Sequence, residues 1–308
     1  MIPTRNDVEA AARRIGAYVR VTPYLHRVSL PGISHPVDLK LELLQHTNSF
    51  KPRGAFNRVL TEHVPGAGLI AASGGNHGAA IAYVARALGH RAEVFVPATS
   101  PPMKADRIRG YGATVVLGGD RYDDAQATAD IRQMETGALM VHPYDHAATV
   151  AGAGTCGREV EQQSNGIDTV LVATGGGGLT AGTATWFAGR SRVVSVEPET
   201  SQSLAAALRA GERVTVEVEG VAIDSLGTRR VGEVPFACAQ AYGVDPVIVT
   251  DQAIVRAQKL LWSELRLVVE PGGAAALAAL LDGAYRPEPT ERVCVVVCGA
   301  NCDPNTVV

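Results

Sequence analysis

The chain has 308 residues and a formal net charge of −3, and 46% of its residues are hydrophobic and 19% charged. These values are typical of a globular protein of one or two domains with a substantial core. The sequence has no stripe of basic residues and only 5% aromatic residues, which argues against a nucleic-acid surface, and no apolar run is long enough to predict a membrane span.

The first twenty residues carry charges of both signs and no apolar signal core, so we predict a cytoplasmic protein. Five cysteines occur, at positions 156, 238, 294, 298 and 302. Their odd number and the isolation of the first two argue against a disulfide framework. The last three recur every four residues, a spacing that would suit a metal, but VCVVVC is more typical of a buried strand and we expect no metal site.

A first series of predicted elements alternates strands with helices. Strands are predicted at 69–73, 92–96, 114–118 and 138–142, and helices at 76–88, 101–110 and 121–135. Gly89 follows the first of these helices, where glycine commonly ends a helix. This alternation predicts right-handed crossovers and parallel strands, which define the α/β class.

A second series begins with a buried strand at 168–174, four glycines and a helix that ends near Phe187. Further strands are predicted at 192–197, 246–250 and 292–299, and further helices at 202–210, at 251–265 with Asp251 as N-cap, and from Pro271 onwards. The chain ends soon after the last predicted strand, and we therefore expect no regulatory domain.

The segment TNSFKPRGA, residues 47–55, places Lys51 between an aromatic residue and a proline. Most lysines at the start of a helix are simply solvated. A lysine held in an apolar pocket instead has a lowered pKa and becomes a nucleophile toward carbonyl groups. The residues alone leave both interpretations open.

Two glycine-rich segments each lie between a predicted strand and a predicted helix. In ASGGNHGAA, Ser73, Asn76 and His77 could gather with backbone N–H groups at a helix N-terminus and bind a carboxylate or phosphate. In ATGGGGLTAG, residues 173–182, four glycines let backbone N–H groups converge on a dianion. The lysine and serine or threonine of a nucleotide P-loop are missing, and plain turns are the alternative for both segments.

The segment GAGTCG, residues 152–157, matches the dinucleotide pattern G-x-G-x-x-G. Such a site needs the pattern directly after a strand and an acidic residue at the end of the next strand. Here no strand is predicted directly before it, and Asp168 stands at the start of the next strand rather than at its end. An NAD-dependent oxidoreductase is thus the less favoured alternative. In CGANCD, Cys298 follows a buried strand and either meets a ligand or is a small buried hydrophobe.

These motifs, in this order and over essentially the whole chain, resemble those of the fold-type II pyridoxal-phosphate (PLP) enzymes, in particular the serine/threonine dehydratases and serine racemase. SFKPRGA is similar to the family's lysine motif, SGGNHG to its substrate-carboxylate loop, GGGGL to its phosphate cradle and CGAN to its ring-nitrogen motif. VEP (196–198) and VEPGGAA (269–275) are further segments of this kind. The resemblance implies a fold like the tryptophan synthase β subunit, with two open, twisted, mostly parallel sheets and helices on both faces.

By this resemblance Lys51 is the catalytic residue and holds PLP as a Schiff base. Asn76 would bind the PLP 3′-hydroxyl, Phe50 would pack beside the ring, and Cys298 would face the ring nitrogen. The phosphate would be bound by Gly175, Gly176, Gly177, Gly178 and the N–H of Leu179. The substrate carboxylate would be held by Ser73, Asn76 and His77.

The resemblance also implies a small domain, residues 68–143, inserted in a large PLP-binding domain of residues 1–67 and 144–308, and a homodimer. The implied reaction is β-elimination from L-threonine, L-serine or similar β-hydroxy amino acids, in which Lys51 takes the Cα proton and a 2-oxo acid and ammonia are released. PLP-dependent β-replacement and threonine synthesis are alternatives within the family. A non-catalytic module that binds PLP or an amino acid is another.

Three positions depart from relatives of the racemase type. Gly74 stands where serine racemases have a serine that reprotonates Cα, so elimination is favoured over racemisation. Glu197 matches one cation ligand, but Ser203 stands where an aspartate would complete the site. Tyr144 replaces an asparagine that contacts the cofactor, and that contact is not carried over.

Overall fold

The computed structural model describes residues 1–120 and 122–307 and contains two sheets whose strands are mostly parallel. This confirms the predicted α/β class. The strands are β1 Tyr24–Val28, β2 Val37–Lys40, β3 Leu69–Ala72, β4 Ala92–Val96, β5 Thr114–Leu117, β6 Leu139–Met140, β7 Thr169–Ala173, β8 Arg192–Pro198, β9 Asp245–Val249 and β10 Val293–Val296. The helices are α1 Arg5–Ile15, α2 Lys51–Leu60, α3 Asn76–Leu88, α4 Pro102–Gly110, α5 Tyr122–Thr136, α6 Ala147–Gln163, α7 Gly178–Phe187, α8 Ser203–Ala210, α9 Ile223–Leu226, α10 Glu233–Tyr242, α11 Asp251–Leu265 and α12 Pro271–Leu281. Short 3₁₀ turns occur at Glu42–Leu44, His46–Asn48 and Pro304–Thr306.

The smaller sheet has the order β5-β4-β3-β6, with every pair parallel. All four residues of β3 are buried, because Leu69 and Ala71 face a core shared with α3, while Ile70 and Ala72 face a core shared with α5. A strand covered on both faces has a continuous apolar sequence, as LIAA does.

The larger sheet has the order β1-β2-β10-β7-β8-β9. β1 pairs with β2 in antiparallel fashion, and the other pairs are parallel. β10 lies between β2 and β7, with Val295 opposite Leu39 on one side and Leu171 on the other. The strands of the smaller sheet fall within residues 68–143 and those of the larger sheet outside them, while the domain boundaries themselves stay a prediction.

Some predicted elements differ from the structure at their ends. Thr250, not Asp251, is the N-cap of α11, because the Thr250 hydroxyl accepts the Ala253 N–H at 3.1 Å. The strand predicted at 138–142 shrinks to β6, because the chain turns at His142, whose Nδ1 accepts the Asp145 N–H at 2.9 Å. The helix predicted from 121 is α5, and Arg121 itself lies outside the described residues.

GAGTCG lies in the middle of the buried helix α6 and not after a strand. A Cβ atom at Gly154 would lie 2.6 Å from the Gly182 carbonyl oxygen, and one at Gly182 would lie 2.5 Å from the Gly154 nitrogen. These glycines therefore allow α6 and α7 to cross in close contact. The dinucleotide pattern has a packing role here, and the context that an NAD site requires is missing.

The described cysteines are all free thiols. The odd number and the spacing of the cysteines had argued against a disulfide framework. Among the described residues, no group of three or more histidine, cysteine, aspartate and glutamate side chains is placed to hold a metal ion. Over the same residues, no helix combines the length and the apolar character needed to cross a membrane.

Candidate active site

A cleft of about 820 Å³ lies where β3, β7 and β10 end. Open α/β sheets bind ligands at the carboxyl ends of their strands. The cleft brings together all the residues for which a role was predicted: Phe50, Lys51, Ser73, Asn76, His77, Gly175, Gly176, Gly177, Gly178, Leu179 and Cys298. Their roles remain proposals, since geometry alone does not assign a bound group to them.

Lys51 is the first residue of α2 and extends into this cleft. Its Nζ donates to the Pro143 carbonyl at 3.2 Å and lies 5.1 Å from the centre of the Phe50 ring. Burial lowers the pKa of Lys51 from 10.5 to about 8, although nearby Cys298 and Glu270 act in the opposite direction. The other three lysines of the chain differ, because Lys40 and Lys104 form ion pairs and Lys259 is exposed.

We expect the rate at which the apoprotein captures PLP to rise with pH about a midpoint near 8, because the neutral amine is the nucleophile. Glu270→Gln should move the midpoint to lower pH, since the Glu270 carboxylate raises the pKa of Lys51. Stopped-flow absorbance measures both midpoints, with the exposed Glu264→Gln as a control that leaves the midpoint in place. A midpoint near that of a free lysine would contradict the assignment.

The helix that carries Lys51 is anchored by a buried ion network. The Arg53 guanidinium binds Glu42 through Nε and Nη2, both at 2.7 Å, and Glu159 through Nη1 at 2.7 Å and Nη2 at 2.9 Å. Lys40 donates to Glu159 at 2.6 Å and completes a balanced set of two cations and two carboxylates. Burial opposes ionisation of Glu42, but Arg53 outweighs it and holds the pKa of that carboxyl below its usual range.

The four glycines connect β7 to α7 in crowded surroundings. A Cβ atom at Gly175 would lie 2.9 Å from the Leu226 Cα atom, and one at Gly176 would overlap the ring of Tyr144. Gly177 has φ 88°, which favours glycine, and is the N-cap of α7. The first N–H groups of α7 have no partner within the helix, so the loop offers an anion site at a helix N-terminus.

Asn76 is the first residue of α3 and faces the carboxylate of Glu270, to which the sequence assigned no role. Its Nδ2 donates to Glu270 Oε1 at 2.6 Å, while its buried Oδ1 has no hydrogen-bond partner within the described part of the chain. Burial raises the pKa of Glu270 to about 6. Glu270 Oε1 occupies the space that a Cβ atom at Gly299 would need. The segment VEPGGAA was the signal that could have drawn attention to this acid.

The loop before α3 presents backbone groups more than side chains. Ser73 Oγ accepts the Gly75 N–H at 3.2 Å. His77 Nε2 is 2.6 Å from the Val141 carbonyl oxygen, and burial lowers the pKa of this histidine to about 3, so the ring is neutral. Because the His77 side chain is already bonded to Val141, only its backbone N–H at the start of α3 is left to face an anion.

Cys298 lies beyond the end of β10, where its thiol donates to the Gly272 carbonyl at 3.6 Å. Burial raises the pKa of Cys298 far above that of an ordinary thiol. The group is therefore neutral at physiological pH, and it presents sulfur rather than a charge to the cleft.

Glu197 and Ser203 both form hydrogen bonds to backbone groups. Its carboxylate accepts the N–H groups of Leu204 at 2.8 Å and Ala205 at 2.7 Å, at the start of α8, and burial raises its pKa to about 7. The Ser203 hydroxyl donates to the Gly175 carbonyl at 3.1 Å. Glu197 therefore stabilises the start of α8, and Ser203 supports the glycine loop.

Gly74 is confined by its neighbours. A Cβ atom there would lie 2.8 Å from Ser100 Oγ and 3.0 Å from Val96 Cγ1. A serine at this position would require both neighbours to move. The absence of a hydroxyl-bearing side chain at position 74 is therefore built into the packing of the cleft.

Comparison with known proteins gives a consistent result. Residues 15–299 match the model of the pyridoxal-phosphate dependent enzyme family. The chain is 38% identical to the biosynthetic L-threonine dehydratase IlvA of Mycobacterium leprae, over 96% of this chain and 72% of that protein. It is 36% identical to an L-threonine ammonia-lyase of Geobacter sulfurreducens, over 97% and 76% of the two chains.

Solved structures show the same likeness in three dimensions. Maize serine racemase superimposes with a TM-score of 0.94 at 28% identity, over 99% of this chain and 96% of that one. The processed form of threonine deaminase isoform 2 from Solanum lycopersicum superimposes with a TM-score of 0.88 at 30% identity, over 98% and 91% of the two chains.

Proposed function

The chain belongs to the family of pyridoxal-phosphate dependent enzymes, and we propose that it converts L-threonine, L-serine and related β-hydroxy amino acids to a 2-oxo acid and ammonia. The observation that carries the proposal is one cleft that combines a lysine of lowered pKa, a glycine loop at a helix N-terminus and a neutral thiol. The choice of substrate is supported by relatives named threonine dehydratase or threonine ammonia-lyase.

The residues of the cleft fit PLP. The buried Asn76 Oδ1 atom lacks a partner among the described residues, as expected of a group that bonds to a ligand hydroxyl. The loop of Gly175–Gly178 would hold the phosphate, Lys51 the aldehyde carbon, and Cys298 would lie at the ring nitrogen. Phe50 would supply apolar surface beside the ring.

Bound PLP supplies an aldehyde with which primary amines condense and a conjugated ring that accepts electrons from the substrate Cα. Lys51, with a pKa of about 8, is partly neutral near physiological pH and can accept the Cα proton. The N–H groups at the start of α3, with Ser73 and Asn76, orient the substrate carboxylate. The neutral thiol of Cys298 brings no negative charge that would favour a protonated ring nitrogen, which supports prompt loss of the β-hydroxyl over a long-lived carbanion.

Gly74 supports elimination over racemisation. Inversion at Cα needs a proton donor on the face opposite Lys51, and a glycine has no group to offer. The packing of Ser100 and Val96 around Gly74 leaves no space for a serine without rearrangement.

Incubation of the PLP-loaded protein with L-threonine should release 2-oxobutyrate and ammonia in equal amounts, measured with a coupled keto-acid assay and an ammonia electrode. L-Serine should give pyruvate, with D-serine formed at a small fraction of that rate. The absence of any keto acid from a panel of β-hydroxy amino acids would rule out the proposal. A requirement for a second nucleophile or a phosphorylated substrate would favour β-replacement or threonine synthesis.

We also propose a cytoplasmic homodimer. The similarity to bacterial threonine dehydratases supports the location, and the resemblance to the family supports the dimer. Sedimentation of the holoenzyme tests the second statement directly.

A further inference from the structure

Three glycines from two segments of the chain surround the side chain of Tyr144. Cβ atoms at Gly176, Gly178 and Gly232 would each collide with Tyr144: the first with its ring, the second with its Cβ at 2.9 Å and the third with its Cδ2 at 2.9 Å. Two of the four glycines of the loop are therefore required by the position of Tyr144 and not only by a ligand.

Tyr144 also belongs to the turn that holds Lys51. The preceding residue, Pro143, provides the carbonyl that accepts from Lys51 Nζ at 3.2 Å. His142 stabilises the turn, because its Nδ1 accepts the N–H of Asp145 at 2.9 Å and its ring packs edge-on against the Tyr144 ring at 4.7 Å. Burial lowers the pKa of His142 to about 4, so it keeps the lone pair that accepts this hydrogen bond.

Two hydrogen bonds also connect this turn to the glycine loop through the start of α10. Asp145 Oδ1 accepts the Val234 N–H at 2.8 Å at the start of α10, and the Gly232 N–H donates to the Gly176 carbonyl at 3.3 Å. The turn thus contacts the start of α10, which contacts the glycine loop, and the Tyr144 ring packs against the glycines of both segments.

We propose that Tyr144 is a positioning residue whose ring fixes the Gly175–Gly178 loop relative to the turn that holds Lys51, so that PLP affinity depends on the fit between this ring and Gly176. The ring sets the distance between Lys51, which would bind the PLP aldehyde, and the glycine loop, which would bind the PLP phosphate. The inference rests on PLP binding and not on the substrate, so it holds or fails independently of threonine turnover.

The test is titration of the apoprotein with PLP, followed by absorbance and by tryptophan fluorescence without substrate. Tyr144→Ala should weaken PLP binding by about tenfold or more, whereas Tyr144→Phe, which keeps the ring, should stay within about threefold of the natural protein. Gly176→Ala should lose PLP affinity more severely, because its Cβ atom overlaps the ring.

The double variant Tyr144→Ala/Gly176→Ala should bind PLP at least about tenfold better than Gly176→Ala alone, because removal of the ring makes room for the new methyl group. Gly175→Ala is the matched control: its Cβ atom would meet the backbone of Leu226, so Tyr144→Ala should not rescue it. Additive losses in the double variant, or equal rescue of Gly175→Ala, would overturn the proposal. If Gly176→Ala does not fold, equal affinities of Tyr144→Ala and Tyr144→Phe would overturn it as well.

Discussion

Lys51→Met is expected to lower the rate of 2-oxo acid formation by more than about 10⁴-fold, because one side chain provides both the amine that anchors the cofactor and the base that takes the Cα proton. Methionine keeps most of the volume of the lysine side chain and lacks the amine. The variant should bind PLP only reversibly, and borohydride should fail to attach the cofactor to it. In the natural protein, borohydride reduction followed by peptide mapping should place the label on Lys51.

The same variant has a second expected result, in the stability of the apoprotein. Because folding lowers the pKa of Lys51 from 10.5 to about 8, the unfolded chain holds this proton more tightly. The natural apoprotein therefore loses stability as the pH falls from about 10.5 to 8, and the loss persists below 8. As the pH falls through this range, the melting temperature of Lys51→Met should therefore rise relative to that of the natural apoprotein.

Lys259→Met changes an exposed residue of α11 and is the control for both experiments. It should keep its activity, and borohydride should still attach PLP to Lys51. Attachment of PLP to any other lysine would refute the assignment.

Arg53→Met is expected to destabilise the protein by about 3–5 kcal/mol, because it leaves Glu42 and Glu159 buried with Lys40 as their one remaining cation in the network. Denaturant unfolding of the apoprotein measures this loss. Since Arg53 lies two residues after Lys51 in α2, the variant should also shift the pH midpoint for PLP capture or the PLP affinity.

Arg158→Met is the matched control, because Arg158 binds Glu9 with the same two-pronged geometry, at 2.7 and 3.0 Å, on the surface. Solvent screens this pair, and its loss should cost at most about 1 kcal/mol with PLP binding unchanged. Equal destabilisation by the two variants would show that the burial of the ion network around Arg53 does not determine how much the network stabilises the protein.

Continuous apolar segments between glycines and prolines were the part of the fold that sequence predicted well. LIAA and TVLVA are covered on both faces, so their composition alone marks them as strands of a parallel sheet. Residues 1–50, before Lys51, were not predicted element by element. β1, YLHRV, has partly exposed residues and an irregular antiparallel register with β2, and neither feature leaves a clear periodicity.

Residues that act through contacts distant in sequence were harder to predict. The resemblance named the ligand-facing positions, and the structure gathers them in one cleft. Glu270 and Tyr144 had no assigned role, because their importance depends on partners 194 and 32 positions away, at Asn76 and Gly176. The contact between the His77 ring and the Val141 carbonyl joins residues 64 positions apart, so the sequence gives no sign of it.

The central position of β10 in the larger sheet determines when that sheet can form during synthesis. Residues 294–296 pair with residues 38–40 on one side, and residues 293–295 pair with residues 169–171 on the other. The two parts of this sheet are therefore joined by a strand that leaves the ribosome after both of them. Contacts between such distant segments slow folding. During synthesis, β2 and β7 expose unpaired edges that can aggregate until β10 arrives. The smaller sheet, whose strands are consecutive in the chain, can form well before that moment.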